Sequence, residues 1–328
     1  MINRRTFSTL ASVAAAGLVT VAWTTAHAQA LDYPAKQVTI VAPLAAGGPA
    51  DSLIRPIAER LSKMWGKPVV VDNRTGAGGM IATQLVSKAE PDGHTILLNL
   101  TSIIQNLSLY KKAPYSLSDL MPVSQIGRQP MALAVSTQSP YQTSGELASA
   151  MKARPADFSF GSFGQGSTGH VFGELYRRTL EVDIPHIAYR GDAQLLPDLM
   201  ANRVSMAFVA ASTAQLRRED KSLRILGVTG PKRFDSMADV PTLGELGFKG
   251  FELVGWYGLF VPAGTNPRIV AKISADVREV LKDPEIQTRM RNLVIEPVGT
   301  TPAEFATILS TDHAKWDKLI KGFGIQLD

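Results

Sequence analysis

Two glycine turns, each between an apolar run and an amphipathic segment, limit what this 328-residue chain can fold into. The first lies in VTIVAPLAAGGPADSLIRPIAERL, residues 38–61, where a strand at 38–41 ends before Pro43. Gly47 and Gly48 let the backbone turn at low steric cost, and Asp51 is the expected N-cap of the helix that follows. Orphan N–H groups and the helix dipole converge at such a turn, so it can bind a small anion, although an ordinary βα turn carries the same residues.

The second turn repeats this pattern in the middle of the chain. A strand is expected at 157–160, the glycine-rich loop GSFGQGSTGH follows at 161–170, and the next helix carries Val171, Phe172, Leu175 and Leu180. Two such units predict two similar α/β domains, and the strand–helix alternation predicts a parallel doubly wound sheet. The other predicted strands are 68–71, 95–98, 120–126, 131–135, 184–188, 204–211, 224–229, 254–261 and 294–298. The other predicted helices are 80–89, 144–153 with Ser144 as cap, 195–201, 267–283, 284–293 and 302–323.

Composition excludes several function classes. The chain has no cysteine, which removes thiol nucleophiles, disulfides and Cys-ligated metals, and its five histidines show no HExxH spacing. We therefore expect no metal site and no cofactor. The net charge of +5 is mild and the basic residues are scattered, so nucleic acid is not an expected partner.

The first 28 residues have the pattern of an export signal. Arg4 and Arg5 precede an apolar run at 10–23, and Ala26-His27-Ala28 matches a cleavage site, so cleavage is expected after Ala28. Both the Sec and the twin-arginine routes fit these residues. The mature protein is therefore expected in the periplasm.

A series of short motifs covers nearly the whole mature chain. Each motif is weak alone, but their joint order and spacing are specific. They are Pro43-x-x-x-Gly47-Gly48-x-x-Asp51, Asn73-x-x-Gly76-Ala77-Gly78-Gly79, Pro91-Asp92-Gly93-x-Thr95, Gly161-Ser162-x-Gly164-x-Gly166-Ser167 with His170, Tyr189-Arg190-Gly191, Asp198, Val240-Pro241-Thr242-x-x-Glu245-x-Gly247 and Pro262-Ala263-Gly264-Thr265. On these residues the chain resembles the Bug/TctC family of periplasmic solute receptors associated with tripartite tricarboxylate transporters.

The resemblance implies an α/β protein with the two-domain type II periplasmic-binding-protein fold and a ligand cleft between the domains. Domain I would comprise residues 29–130 and about 252–328, and domain II about 131–251. It further implies a monomeric, non-enzymatic receptor that binds a small carboxylate (a di- or tricarboxylate, an amino acid or an aromatic acid) and docks on membrane permease subunits. In the family, the two glycine loops hold a ligand carboxylate mainly through backbone N–H groups. The ligand-binding residues expected here are Leu44, Ala45, Gly47, Gly48, Asp51, Ser162, Gly164, Gly166, Ser167, His170, Arg190 and Gly191.

Three departures from the family pattern involve four residues. Leu44 stands where the family often has phenylalanine, Pro49-Ala50 replaces small hydroxyl residues, and Asn202 stands at a frequent glycine. The first two changes affect the expected ligand pocket.

Several side chains admit both a functional and a structural interpretation. Arg190 is either the partner of a second ligand carboxylate or a surface arginine at a strand end. His170 is expected to be a hydrogen-bonding or packing residue rather than a catalyst. Asp51 is expected mainly to cap its helix and only secondarily to lie beside the ligand. Trp256 and Tyr257 either line the hinge or pack in the core, and the core is favoured.

One alternative function comes from a different class. Gly164-x-Gly166-x-x-Gly169, followed by Asp192, matches a dinucleotide fingerprint and would indicate an NAD-dependent oxidoreductase. This motif is prone to false matches, lies in mid-chain, and is accounted for by the receptor family. No serine lies in a G-x-S-x-G elbow, so a hydrolase of the α/β type is not supported.

Overall fold

The computed structural model describes residues 32–327. The predicted export signal, residues 1–28, lies outside the described residues. Within the described range, strands and helices alternate for most of the chain, which confirms the α/β class.

The first sheet has six strands in the described chain, in the spatial order β11-β4-β10-β3-β1-β2. β1 pairs in parallel with β2 and β3, while β10 pairs antiparallel with β3 and β4. The parallel sheet predicted from residues 38–98 is thus extended by antiparallel strands from later segments. The strand bounds are β1 Val38–Ala42, β2 Val69–Asn73, β3 Thr95–Leu100, β4 Leu120–Gln129, β10 Gly255–Pro262 and β11 Glu296–Pro297.

The second sheet has five strands within residues 32–327, in the order β7-β6-β8-β5-β9. β6 is parallel to β7 and β8, and β5 is antiparallel to β8 and β9. The chain passes between the sheets at Pro130 and again between Val228 and Gly255. The domain boundaries given above stay a prediction. The bounds are β5 Met131–Ser136, β6 Phe160–Ser162, β7 His186–Ala188, β8 Met206–Ala210 and β9 Leu223–Val228.

The α-helices of the described residues follow most of the strands. Their bounds are α1 Pro49–Trp65, α2 Met80–Ser87, α3 Ser102–Leu109, α4 Ser144–Ala153, α5 Thr168–Thr179, α6 Asp192–Met200, α7 Ala211–Glu219, α8 Pro267–Val280, α9 Pro284–Asn292 and α10 Pro302–Gly322. None of these helices is long and apolar enough to cross a membrane.

The first glycine turn produces α1 as expected, but Asp51 is not its N-cap. The cap is Gly48, and Pro49 occupies the first helical position, where its missing N–H costs nothing. Asp51 is the third helical residue, and its carboxylate reaches back to accept a 2.9 Å hydrogen bond from the N–H of Gly47. From inside the helix, Asp51 thus pairs with a backbone donor of the preceding turn rather than with an N–H of the first helical turn.

Two other local predictions were wrong, and two helices were missed. Thr143 rather than Ser144 caps α4, because the Thr143 side chain accepts from the N–H of Glu146. The strand expected at 157–160 begins only at Phe160, since Pro155–Asp157 form a 3₁₀ turn. Helices α3 and α7 were not predicted, because their short amphipathic patterns follow directly on buried strands.

An aromatic cluster holds α5 in place. Phe172 on α5 packs against Phe208 of β8 and edge-on against Trp316 of α10, with centroid distances of 5.7 and 5.3 Å. All three side chains are fully buried. Because α10 also packs on β4 of the first sheet, the cluster connects α5 to elements of both sheets.

Candidate functional site

A cavity of about 520 Å³ lies between elements of the two sheets. Leu44 and Ala50 contribute to its wall from the first glycine turn, and Gly164 and Thr168 contribute from the second. Trp256, at the start of β10, lines it where the chain returns to the first sheet. The cavity thus lies beyond the carboxyl ends of parallel strands, where α/β sheets usually bind ligands.

Six helices of the described chain begin at the cavity wall. Each contributes its cap or first-turn residues to the lining: Ala50 for α1, Gly79 for α2, Ser102 for α3, Thr168 for α5, Asp192 for α6 and Ala210 for α7. Their positive dipole ends and first-turn N–H groups therefore lie at the same cavity. Such an arrangement favours an anionic ligand group.

The first turn is held rigid by a network around Asp51. Asn73 at the end of β2 donates to the carbonyl of Leu44 at 2.9 Å and to Asp51 at 3.0 Å, and Arg55 donates to Asp51 at 2.7 Å. The hydrogen bond from Arg55 lowers the pKa of the Asp51 carboxyl, and bonds from Gly47 and Asn73 add to this effect. Asp51 lies off the cavity wall and stabilises the turn through these hydrogen bonds. The N–H of Gly47 is already hydrogen-bonded to Asp51.

The second turn is held by two histidines. The N–H of Gly166 donates to His170 Nδ1 at 3.0 Å. The Ser162 hydroxyl donates to the carbonyl of Gly164 at 2.9 Å and lies 2.8 Å from His186 Nε2. Because that hydroxyl has a single hydrogen, His186 Nε2 is assigned as the donor to Ser162.

The two imidazole rings stack, with centroids 3.8 Å apart and planes within 9° of each other. Burial lowers the pKa of His170, and burial together with the neighbouring His170 lowers the pKa of His186 to about 4. Glu174 lies 4.0 Å from His170 Nε2. Burial acts to raise the pKa of Glu174, but the hydrogen bonds and charges of Arg177 and Arg178 together outweigh burial and lower it. Both histidines are therefore neutral at pH 7 and serve as hydrogen-bonding supports.

Four of the twelve predicted ligand-binding residues lie on the cavity wall: Leu44, Gly164, Gly166 and Ser167. The other eight lie off it: Ala45, Gly47, Gly48, Asp51, Ser162, His170, Arg190 and Gly191. Among these, Asp51, Ser162 and His170 contact the backbone of the two turns. Arg190 is exposed, and its backbone N–H donates to the Gln194 side chain at 3.1 Å.

Sequence reasoning missed the contribution of α3. Thr101, Ser102 and Gln105 line the cavity, and Gln105 is 2% exposed. The hydroxyl pair Thr101-Ser102 directly after a buried strand was the available signal of a third βα turn. Asp192, considered only in the dinucleotide alternative, also lines the cavity.

The cavity wall contains six helix N-termini but few charged side chains. Among the lining residues that the structure describes, none is lysine, arginine or histidine, and Asp192 is the single carboxylate. No group of three or more potential metal ligands occurs in residues 32–327. An anion bound here would be held by N–H groups, hydroxyls and amides rather than by a basic side chain.

Comparison with known proteins agrees with this geometry. The model of the tripartite tricarboxylate transporter family receptor, TctC, matches residues 53–325. The chain belongs to the TctC family. It is 34% identical over 297 residues to a protein from the tcbD–tcbE intergenic region of Pseudomonas sp. strain P51, and the match covers 90% of this chain and 88% of the relative.

Solved structures place this TctC receptor in the periplasmic-binding-protein fold, as the resemblance implied. A protein of R. palustris determined with adipate is 33% identical, with a TM-score of 0.82 over 90% of this chain and all of that chain. The periplasmic binding protein BugD is 31% identical, with a TM-score of 0.79 over the same shares. The chain is therefore a solute-binding receptor of this family, and the family resemblance drawn from its motifs is confirmed.

Proposed function

We propose that this TctC receptor binds a small organic acid in the cavity between the two sheets and delivers it to a membrane permease of the tripartite tricarboxylate type. The observation that carries the proposal is the meeting of six helix N-termini at a wall without basic side chains. A carboxylate suits such a wall because charge-assisted bonds from preformed N–H donors are strong and need no countercharge. The related structure determined with adipate supports an acid ligand.

Not every backbone N–H group of the two turns is available to this acid. The N–H groups of Gly47 and Gly166 are used by Asp51 and His170, so the expected donors are the first-turn N–H groups of α1 and α5. Asp51, Ser162 and His170 would then act as positioning residues, while Leu44, Gly164 and Ser167 would contact the ligand. The assignment of Ala45, Gly48 and Gly191 to the ligand stays a prediction from the sequence, whereas the exposed Arg190, which lies off the wall, is not expected to contact the acid.

Export and partners complete the proposal. The signal at residues 1–28 would direct the chain to the periplasm, where it would act as a monomer. Domains with the boundaries given above would close around the acid by rotation about the connections at Pro130 and between Val228 and Gly255. The closed receptor would then dock on the permease subunits.

A dinucleotide enzyme is the less favourable alternative for physical reasons. A pyrophosphate would have to approach Gly166, but a Cβ built at that glycine lies 2.8 Å from Leu327 and 3.1 Å from Leu109. Two leucine side chains therefore occupy the space beside the loop that a fingerprint motif keeps open for phosphate.

A screen of organic acids tests the proposed function. Thermal-shift measurements on mono-, di- and tricarboxylates, amino acids and aromatic acids should identify stabilising compounds, and titration calorimetry should then give saturable 1:1 binding. Bound acids should be recovered unchanged. Turnover of a bound acid, or no stabilisation by any acid, would contradict a receptor of this class.

A further inference from the structure

Gln105 and Asp192 line the cavity, and each has a polar side-chain atom without a hydrogen-bond partner in the described chain. The atoms are Nε2 of Gln105, a donor, and Oδ1 of Asp192, an acceptor when ionised, and both are buried. A buried polar group left unpaired costs about 1–3 kcal/mol. Such atoms in residues that line a binding cavity indicate which groups a ligand brings.

The orientation of the Gln105 side chain is fixed by a hydrogen bond from α5. Its Oε1 accepts a 3.0 Å hydrogen bond from the hydroxyl of Thr168, the first residue of α5. The amide is thereby oriented so that Nε2 is the free donor. Because Gln105 is buried and lines the cavity, the partner available to Nε2 is an acceptor on a ligand bound there.

Asp192 is the single carboxylate of this wall, and it has no basic neighbour there. Burial raises its pKa, because no cation among the described residues offsets the loss of hydration. The nearest arginine in sequence, Arg190, is exposed and lies off the wall. An acidic residue in the first helical turn is favourable for α6, but this does not explain a buried, unpaired oxygen at the cavity.

We propose that the ligand of this receptor carries a protonated amine as well as a carboxylate, and that Asp192 binds the amine while Gln105 donates to the carboxylate. The inference rests on the proposed function and narrows its substrate class. A second carboxylate at Asp192 would be repelled by a like charge in a site with no basic side chain. The related protein determined with adipate would differ from this chain in that respect.

Matched acids of equal chain length test this inference on the purified full chain. The probes are valerate, 5-hydroxyvalerate, 5-aminovalerate, norvaline and glutarate, with the corresponding four- and six-carbon series, titrated by calorimetry at pH 7. At one chain length, an amine-bearing acid should bind at least about tenfold more tightly than the plain, hydroxyl and dicarboxylate analogues, since a charged hydrogen bond contributes about 1.5–3 kcal/mol.

The variant Asp192→Asn keeps the shape and removes the charge. It should lower affinity for the preferred amine-bearing acid at least about tenfold and leave the plain monocarboxylate within about threefold. Gln105→Leu should weaken both acids by a similar factor, because both carry the carboxylate. The comparison of amine and hydroxyl analogues on the wild type does not depend on how either variant folds.

The outcomes separate two failures. The inference is wrong if plain acids or dicarboxylates bind more tightly than every amine-bearing acid, or if Asp192→Asn weakens binding of all acids equally. In either case the proposed function as an acid receptor is retained. Tight binding of hydroxy acids with no gain from the amine also contradicts the inference. If no acid of any series binds, the proposed function itself fails.

Discussion

The imidazole of His170 accepts a 3.0 Å hydrogen bond at Nδ1 from the backbone N–H of Gly166, and this bond fixes the turn that leads into α5. Gly166 lines the cavity, whereas His170 lies behind it. The histidine therefore acts through the loop rather than on the ligand. The stacked ring of His186 supports it and holds Ser162 against the same loop.

Replacing His170 with alanine should weaken ligand binding without removing a ligand contact. The loss of one neutral hydrogen bond, about 1 kcal/mol, corresponds to about fivefold in affinity when loop order is required for binding. Calorimetry with the tightest acid from the screen measures this loss. His313→Ala on α10 is the control and should not change affinity; equal losses in both variants would show that the Gly166 bond is not responsible.

Acid should destabilise the protein through the histidine pair. Burial lowers the pKa of both rings, that of His186 to about 4, so the unfolded chain binds protons more readily than the folded chain. The free energy of unfolding should therefore fall as the pH drops from about 6.5 toward 4. Glu174 and Arg177 face the pair, and the lowered pKa of Glu174 acts in the same direction.

Urea denaturation at several pH values checks this dependence. His186→Leu removes one of the two titrating rings, so its unfolding free energy should decrease less steeply over the same interval. A wild-type stability that is flat between pH 6.5 and 4 would contradict the assignment of two neutral imidazoles.

Two glycines in the binding turns should respond differently to alanine. Gly166 has a φ of +75°, a left-handed conformation that costs an L-residue about 1–2 kcal/mol. Gly48 has a φ of −77°, and a Cβ there meets only an ordinary 3.5 Å contact. Gly166→Ala should lower the free energy of unfolding by about 1–2 kcal/mol, and Gly48→Ala should change it by less than about 0.5 kcal/mol. Chemical denaturation gives both values, and a reversed order would contradict the described turn conformations.

Arg190→Ala should leave affinity within about twofold for monocarboxylates and dicarboxylates alike. The side chain is exposed and off the wall, and no binding contact is lost with it. Calorimetry with valerate and glutarate measures the effect. A loss of about tenfold or more for glutarate alone would restore the sequence-based interpretation, in which this arginine pairs with a second ligand carboxylate.

The sequence predicted both glycine turns because their signals are local. A strand end, positive-φ glycines and helical spacing behind them lie within about two dozen residues, and the helix of Asp51 forms as expected. The joint order and spacing of the short motifs along the chain also identified the family, and with it the fold.

What the sequence did not predict depends on tertiary contacts. The N–H of Gly47 is used by Asp51 and that of Gly166 by His170, so two expected ligand donors are internal supports. The direction of the Arg190 side chain at a strand end has no periodic signal. Gln105 was missed because its short helix follows a buried strand, where apolar residues run without a clear helical period.

A crystal structure of this receptor with its tightest-binding acid tests the central claim most directly. The predicted result is a carboxylate between the N-terminal ends of α1 and α5, within about 3 Å of their first-turn N–H groups and of Gln105 Nε2, and without contact to any lysine or arginine. A carboxylate paired with Arg190 or another basic side chain, or bound outside the cavity, would contradict it.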